Sequence, residues 1–146
     1  MARKVLEVKD FHFYYGAIHA IKGISMYVNE GEIVALIGGN GAGKTTTLRS
    51  ISGLLGPLNH GEIFFNGELI NKKKPHKIAA AGLSQVLEGR HVFPQLTVKE
   101  NLMLGAYSRK DIKGIQEDLE YVFHLFPRLK EREKQLSGTL SGGEQQ

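Results

Sequence analysis

Apolar and polar positions alternate twice near the start of the chain. Val5-Leu6-Glu7-Val8-Lys9 and Ile24-Ser25-Met26-Tyr27-Val28 each predict a strand with one face toward a core, the first reading as an edge strand. Phe11, Phe13, Tyr14 and Tyr15 follow the first run and end at Gly16, with Phe11 and Phe13 on one face. Asn29-Glu30-Gly31 is a turn leading into Ile33-Val34-Ala35-Leu36-Ile37. That run is too short for a helix and rich in β-branched residues, so it predicts a strand buried on both faces. Glu62–Phe65, Asn66-Gly67 and Glu68–Ile70 predict a two-residue hairpin, and with the opening strands an antiparallel layer. Helical signals dominate afterwards. Pro75–Ala81 is a short helix candidate, and Thr97-Val98-Lys99-Glu100 is a capping box opening a helix toward Tyr107. Ile112, Ile115, Leu119, Val122, Phe123 and Phe126 make a stripe of period 3.6 that Pro127 stops, and 131–134 is a solvated connection.

The stretch directly after the central apolar run carries the chemistry. Gly38 to Thr45 fits G-x-x-x-x-G-K-[ST], between a predicted strand and a predicted helix over 45–52. Gly38, Gly41 and Gly43 free the backbone so that successive N–H groups turn toward a phosphate. The first N–H groups of the following helix face the same anion. Lys44 places a point charge on the outer phosphates, and the Thr45 hydroxyl ligands a magnesium ion between them. Leu48 and Ile51 share one helix face, and Gly53 is the candidate residue closing the helix. The four fixed positions match by chance in roughly one chain of this length in a few hundred at average residue usage, and the flanking pattern supplies the required context. Tyr15 could offer its ring face to a base, a contact any base satisfies.

Composition changes this picture little. The 146 residues are 41% hydrophobic and 23% charged, as in an ordinary globular chain with a core of its own. With no cysteine, disulfides and thiolate metal sites are excluded. No apolar run reaches the ~18 residues of a membrane span, and the start does not read as a secretory signal, so a cytosolic chain is expected. The net charge of +4 is compatible with nucleotide without demanding it. The run Asn71-Lys72-Lys73-Lys74 with His76 and Lys77 reads as a solvated loop more readily than as a nucleic-acid patch, and Lys74 stands where a guanine-reading N-K-x-D would need Asp. His12, His19, His60, His91 and His124 show no metal-ligand spacing.

Near its end the sequence reads Leu140-Ser141-Gly142-Gly143-Glu144. LSGGE together with the G-x-N-G-A-G-K-T-T loop resembles the ATP-binding subunit of ABC transporters over essentially the whole chain. Glu88-Gly89-Arg90-His91-Val92-Phe93, Leu96-Thr97-Val98-Lys99-Glu100-Asn101-Leu102 and Phe126-Pro127-Arg128-Leu129 resemble the ATPases of branched-chain amino-acid importers most. The resemblance implies an α/β P-loop NTPase core with an antiparallel β subdomain and a helical subdomain, incomplete at the C-terminus. It divides the chain into an ATP-binding core over 1–91, a helical subdomain over 92–139 that docks on the transmembrane partner, and the signature motif over 140–146.

Position by position, the resemblance makes Tyr15 the ring that stacks on adenine. It gives ATP and Mg2+ to Gly38, Gly39, Asn40, Gly41, Ala42, Gly43, Lys44, Thr45 and Thr46, with Thr45 on the metal. Glu88 aligns with the family residue that senses magnesium and the γ-phosphate and couples to the membrane subunit; Gln85 is the alternative, and Leu87 stands where the subgroup carries proline. Ser141 and Gly143 would face the nucleotide of a second subunit in a head-to-tail dimer. Implied partners are that second subunit and transmembrane permease subunits at the inner face of the cell membrane, with no nucleic acid. In the family a buried strand ending in Asp, a catalytic Glu and a switch His follow LSGGE, and no earlier run here ends in Asp-Glu. The sequence therefore reads as the front part of a longer ATPase, expected to bind nucleotide poorly and hydrolyse none. On this expectation the signature helix is frayed and the 33–37 strand is left with an open edge. A nucleotide-binding module without turnover, and a soluble ABC ATPase acting on nucleic acid or ribosome, are the other readings.

Overall fold

A computed structural model describes residues 2–58 and 60–146, and the chain divides into two compact units, Met1–Gln85 and Val86–Gln146. In the first, β1 (Lys4–Tyr15) and β2 (Ile18–Asn29) are long antiparallel partners joined by the turn at Gly16. The P-loop helix α1 (Lys44–Ile51) follows, then β3 (Glu62–Phe65), β4 (Glu68–Leu69) and α2 (Pro75–Ala80).

The four strands lie in the order β2-β1-β3-β4, every pair antiparallel. β1 is thus an inner strand and not the expected edge: Leu6, Glu7 and Val8 pair on one side with β2 and on the other with β3. Its alternation is the reason it looked like an edge, since Val8 and Phe11 are buried while their neighbours remain open. Several register shifts, with Asp10 at φ 42°, break the strict period of 2 along β1. Val8, Phe11, Ile21, Ile51, Leu58, Ile63, Ile70 and Ile78 form the core beneath the sheet. Asn66 and Gly67, at φ 50° and 81°, make the predicted turn in the hand that matches strand twist.

The Ile33–Ile37 run departs furthest from expectation. No ladder forms there among the described residues, and Ile33 and Ile37 are 97% and 92% exposed. An apolar run becomes a buried strand only when neighbours pair with it, and the strands of this chain pair with each other instead.

In the second unit, α3 (Val98–Gly105), α4 (Ile112–Leu125) and α5 (Pro127–Glu131) lead through a 3-10 turn (Ser137–Thr139) to α6 (Gly142–Gln145). The Thr97–Glu100 capping box opens α3 as predicted, with the Thr97 N–H and hydroxyl both donating to Glu100 Oε2 at 2.8 Å. Leu119 and Phe123 bury the α4 stripe, and Pro127 both ends that helix and starts the next. Asn101 joins the parts: it accepts from the Phe93 N–H and donates to the carbonyls of Phe93 and Thr97 and to Ser137 Oγ. Among the described residues no helix is long and apolar enough to cross a membrane.

Candidate nucleotide-binding site

The site begins where the backbone must bend without a side chain. Gly43, the residue preceding α1, holds φ 89° and ψ 7°, a left-handed conformation that L residues avoid. Space is tight there as well, because an added Cβ would stand 2.2 Å from Ile21 Cδ1 in the core. Gly41 is left-handed too, at φ 80°, and opposite Gly39 and Gly41 an added Cβ meets nothing within 4 Å, so that face of the loop is open to a ligand. The Ala42 N–H closes a turn onto the Gly39 carbonyl at 3.2 Å.

α1 starts at Lys44, one residue before the expected start, and carries no acidic side chain in its first turn to compete with an anion. The Lys44 ammonium folds back over the loop and donates to the carbonyl oxygens of Gly38 and Gly39, both at 2.7 Å. Tyr15, at the end of β1, comes to the same place, with its hydroxyl 3.3 Å from Thr46 Oγ1. Its ring stands edge-on to Phe13 at 5.0 Å between centroids and is about half exposed. One end of the first unit thus gathers Tyr15, Gly38, Gly39, Lys44 and Thr46.

The helix is anchored through Thr47, Ser50 and Ile51, which are buried. Leu48, expected on the inner face with Ile51, is 49% exposed, because the buried stripe runs one residue away through two small polar side chains. Thr47 satisfies its hydroxyl on the Gly43 carbonyl at 2.9 Å. Gly53, at φ 74°, closes the helix as predicted: its N–H reaches the Ser50 carbonyl at 3.0 Å and the Leu54 N–H reaches that of Arg49 at 2.8 Å. Near this C-terminal end, away from the phosphate loop, the Ser52 hydroxyl donates to Gln85 Oε1 at 2.5 Å.

Glu88, Ser141 and Gly143 belong to the second unit. Glu88 is exposed, and its backbone carbonyl lies 2.7 Å from His91 Nε2. α6 is capped at its start. The Ser141 N–H and hydroxyl donate to Glu144 Oε2 at 2.9 and 2.8 Å, and Arg132 Nη1 braces the same oxygen at 3.3 Å. Gln145 Nε2 donates to the carbonyls of Ser137 and Leu140, both at 3.0 Å. The hydroxyl and N–H of Ser141, with Arg132 adding its charge, hold the Glu144 carboxyl below its ordinary value. Gly143 has open space where a side chain would point. The Glu144 contact had a signal in the sequence, since Ser141 to Glu144 is itself the S-x-x-E spacing of a capping box. The roles of Asn101 and Arg132 had none.

Two observations bear on a metal. Among the described residues no group of three or more His, Cys, Asp or Glu is placed to hold one. Thr45 and Thr46, which follow the loop in α1, bring hydroxyl oxygens and no carboxylate, a set that suits an ion arriving with phosphate oxygens and waters of its own.

Residues 21–146 match the ABC transporter family. The chain is 45% identical over 133 residues to the high-affinity branched-chain amino acid transport ATP-binding protein BraG of Pseudomonas aeruginosa, covering 91% of this chain and 56% of that protein. It is 35% identical over 132 residues to a probable branched-chain amino acid transport ATP-binding protein, LivF, of Archaeoglobus fulgidus, covering 90% and 55%. The chain therefore spans about half the length of these relatives. Among solved structures, an ATP-binding subunit of an ABC transporter superposes with a TM-score of 0.79 at 31% identity, over 97% of this chain and 58% of that one. The ADP conformation of an ATP-binding cassette gives 0.78 at 26% identity, over 97% and 61%. The glycine loop closed by Lys44 and the capped LSGGE turn both lie within the match over 21–146, and the chain belongs to the ABC transporter family as an ATP-binding cassette.

Proposed function

We propose that the chain is the nucleotide-binding part of an ABC importer that couples ATP binding and hydrolysis to uptake of branched-chain amino acids. The loop with Lys44 folded over the Gly38 and Gly39 carbonyls and Tyr15 beside Thr46 carries the nucleotide part of this reading, and the likeness to two branched-chain amino acid transport ATP-binding proteins carries the substrate. On this reading 1–91 is the ATP-binding core, 92–139 the helical subdomain that meets the permease, and 140–146 the signature. Backbone N–H groups of Gly39, Asn40, Gly41 and Gly43 and those of Thr45 and Thr46 cradle the phosphates, and the Ala42 N–H joins them on leaving the Gly39 carbonyl. Lys44 leaves its carbonyl partners for the outer phosphates, and the Tyr15 ring stacks on the base. The Thr45 hydroxyl would hold Mg2+, which when bound would supply charge neutralisation for the phosphates. Ser141 and Gly143 serve the nucleotide of a second copy in a head-to-tail dimer. Glu88 is the magnesium-sensing and coupling residue: Gln85, the other candidate, is already engaged by Ser52 at the far end of α1. The assembly works at the cytoplasmic face of the membrane. The exposed Ile33–Ile37 run, which leads directly into the loop, favours a second reading in which this chain binds nucleotide without turnover.

Titration with a fluorescent ATP analogue tests the reading. Tyr15→Ala should weaken binding by about 1–3 kcal/mol of stacking, with GTP competing nearly as well as ATP, because stacking reads no base edge. Unchanged affinity in the Tyr15→Ala variant would remove Tyr15 from the site. In the assembled transporter Glu88→Ala should impair permease-stimulated turnover while Gln85→Ala leaves it nearly unchanged; the reverse result moves the coupling role to Gln85.

A further inference from the structure

The loop from Glu88 to His91 is closed on itself, with His91 Nε2 at the Glu88 carbonyl and Gly89 at φ 96° at the bend. Arg90, between these two, reaches across to Gly142, the first residue of α6. A Cβ built on Gly142 would lie 2.7 Å from Arg90 Nη2, 3.3 Å from Cζ and 3.4 Å from Nε. The guanidinium therefore rests against the face of the glycine that a side chain would occupy. Gly142 does not sit in the left-handed region, so its small size serves this close approach and not a backbone turn. The turn it belongs to is stiff: Glu144 holds Ser141, Arg132 holds Glu144, and Gln145 holds the carbonyls before it. A displacement at Gly142 is then passed to Ser141 and Gly143 as a body.

We propose that Arg90 is a positioning residue whose guanidinium, resting on Gly142, makes the Glu88 loop and the Ser141–Gly143 turn shift together. The proposal rests on the reading of Glu88 and Ser141 given above and adds the physical link between them. A one-sided van der Waals contact suffices, because a group that already fills the space beside a glycine is moved when that glycine moves. Planarity matters more than charge here, since the residue against which the guanidinium rests is an uncharged glycine.

The test is amide hydrogen exchange followed by NMR on the 146-residue chain without nucleotide. Gly89→Ala strains the loop at its left-handed bend and should change exchange at Ser141–Gly143 by about threefold or more, within the usual range of coupling between linked sites. Combined with Arg90→Ala, that change should vanish. Arg90→Gln, planar but uncharged, should restore part of it, and Arg90→Lys, charged but not planar, should not. Gly142→Ala works from the other side, displacing the guanidinium and altering exchange at Gly89–His91. Transmission that survives Arg90→Ala, restoration by Lys equal to that by Gln, or an unchanged loop in Gly142→Ala would each overturn the proposal. Since no nucleotide is present, such a failure leaves the nucleotide reading to its own titrations.

Discussion

Replacing Lys44 by alanine removes the cation that the structure places on the glycine loop. Its ammonium makes two charge-assisted contacts at 2.7 Å, to Gly38 and Gly39. A contact of this class to a phosphate is worth about 1.5–3 kcal/mol, or about 10- to 150-fold in affinity. The ammonium must release both carbonyls before it reaches a nucleotide, so the net effect belongs near the lower end, about 10- to 30-fold. Lys44→Met retains the stem and should behave like Lys44→Ala, which separates lost charge from lost packing. The assay is titration of a fluorescent ATP analogue at fixed magnesium, repeated at two ionic strengths, with far-UV circular dichroism to show that the variants fold. Added salt should narrow the gap between wild type and variant, as expected for a partly exposed charge. Superimposable binding curves in folded samples would refute the assignment of the loop.

Other outcomes follow from the same geometry. Gly43→Ala forces an L residue into φ 89° and drives a methyl group against Ile21, so urea unfolding should shift by about 2–5 kcal/mol; an unchanged midpoint would refute the close packing. The Thr97 N–H and hydroxyl hold Glu100 below its ordinary value of 4.5, as Ser141 holds Glu144. With the folded value lowered, the support is present above 4.5 and is lost as pH falls through the folded value, so amides of α3 and α6 should exchange faster on acidification, and Glu100→Gln should abolish that dependence in α3. The purified chain should release no phosphate above the level of its Lys44→Ala variant; turnover abolished by that substitution would mean that a carboxylate read as structural orients the attacking water.

The glycine turn and the helix after it were legible because left-handed positions ahead of a helix leave little freedom of residue type, and Gly41 and Gly43 occupy them. Local turns were legible for the same reason, as Asn66-Gly67 and Thr97–Glu100 show. Long-range pairing was not. The alternation in Val5–Lys9 says that one face is buried, but not that β3 would add itself from almost sixty residues away. Ile33–Ile37 reads as buried because composition reports preference, whereas burial depends on which strands are free to pair. Gly142 is the quieter case: its glycine looks like part of a phosphate motif, yet in the structure it also makes room for Arg90.

The partition into Met1–Gln85 and Val86–Gln146 bears on how the stability of this chain should be measured. Each unit has buried apolar residues of its own, around Phe11 and Ile63 in one and around Leu119 and Phe123 in the other. All-or-none unfolding is the habit of single domains, so a calorimetric scan here should resolve two endotherms, and a single melting temperature would average unlike quantities. A ligand that binds only the folded form raises the transition of the unit it binds. Nucleotide held at Lys44 should therefore move the endotherm of the first unit upward, and any smaller rise in the second reports what Glu88 adds to the binding.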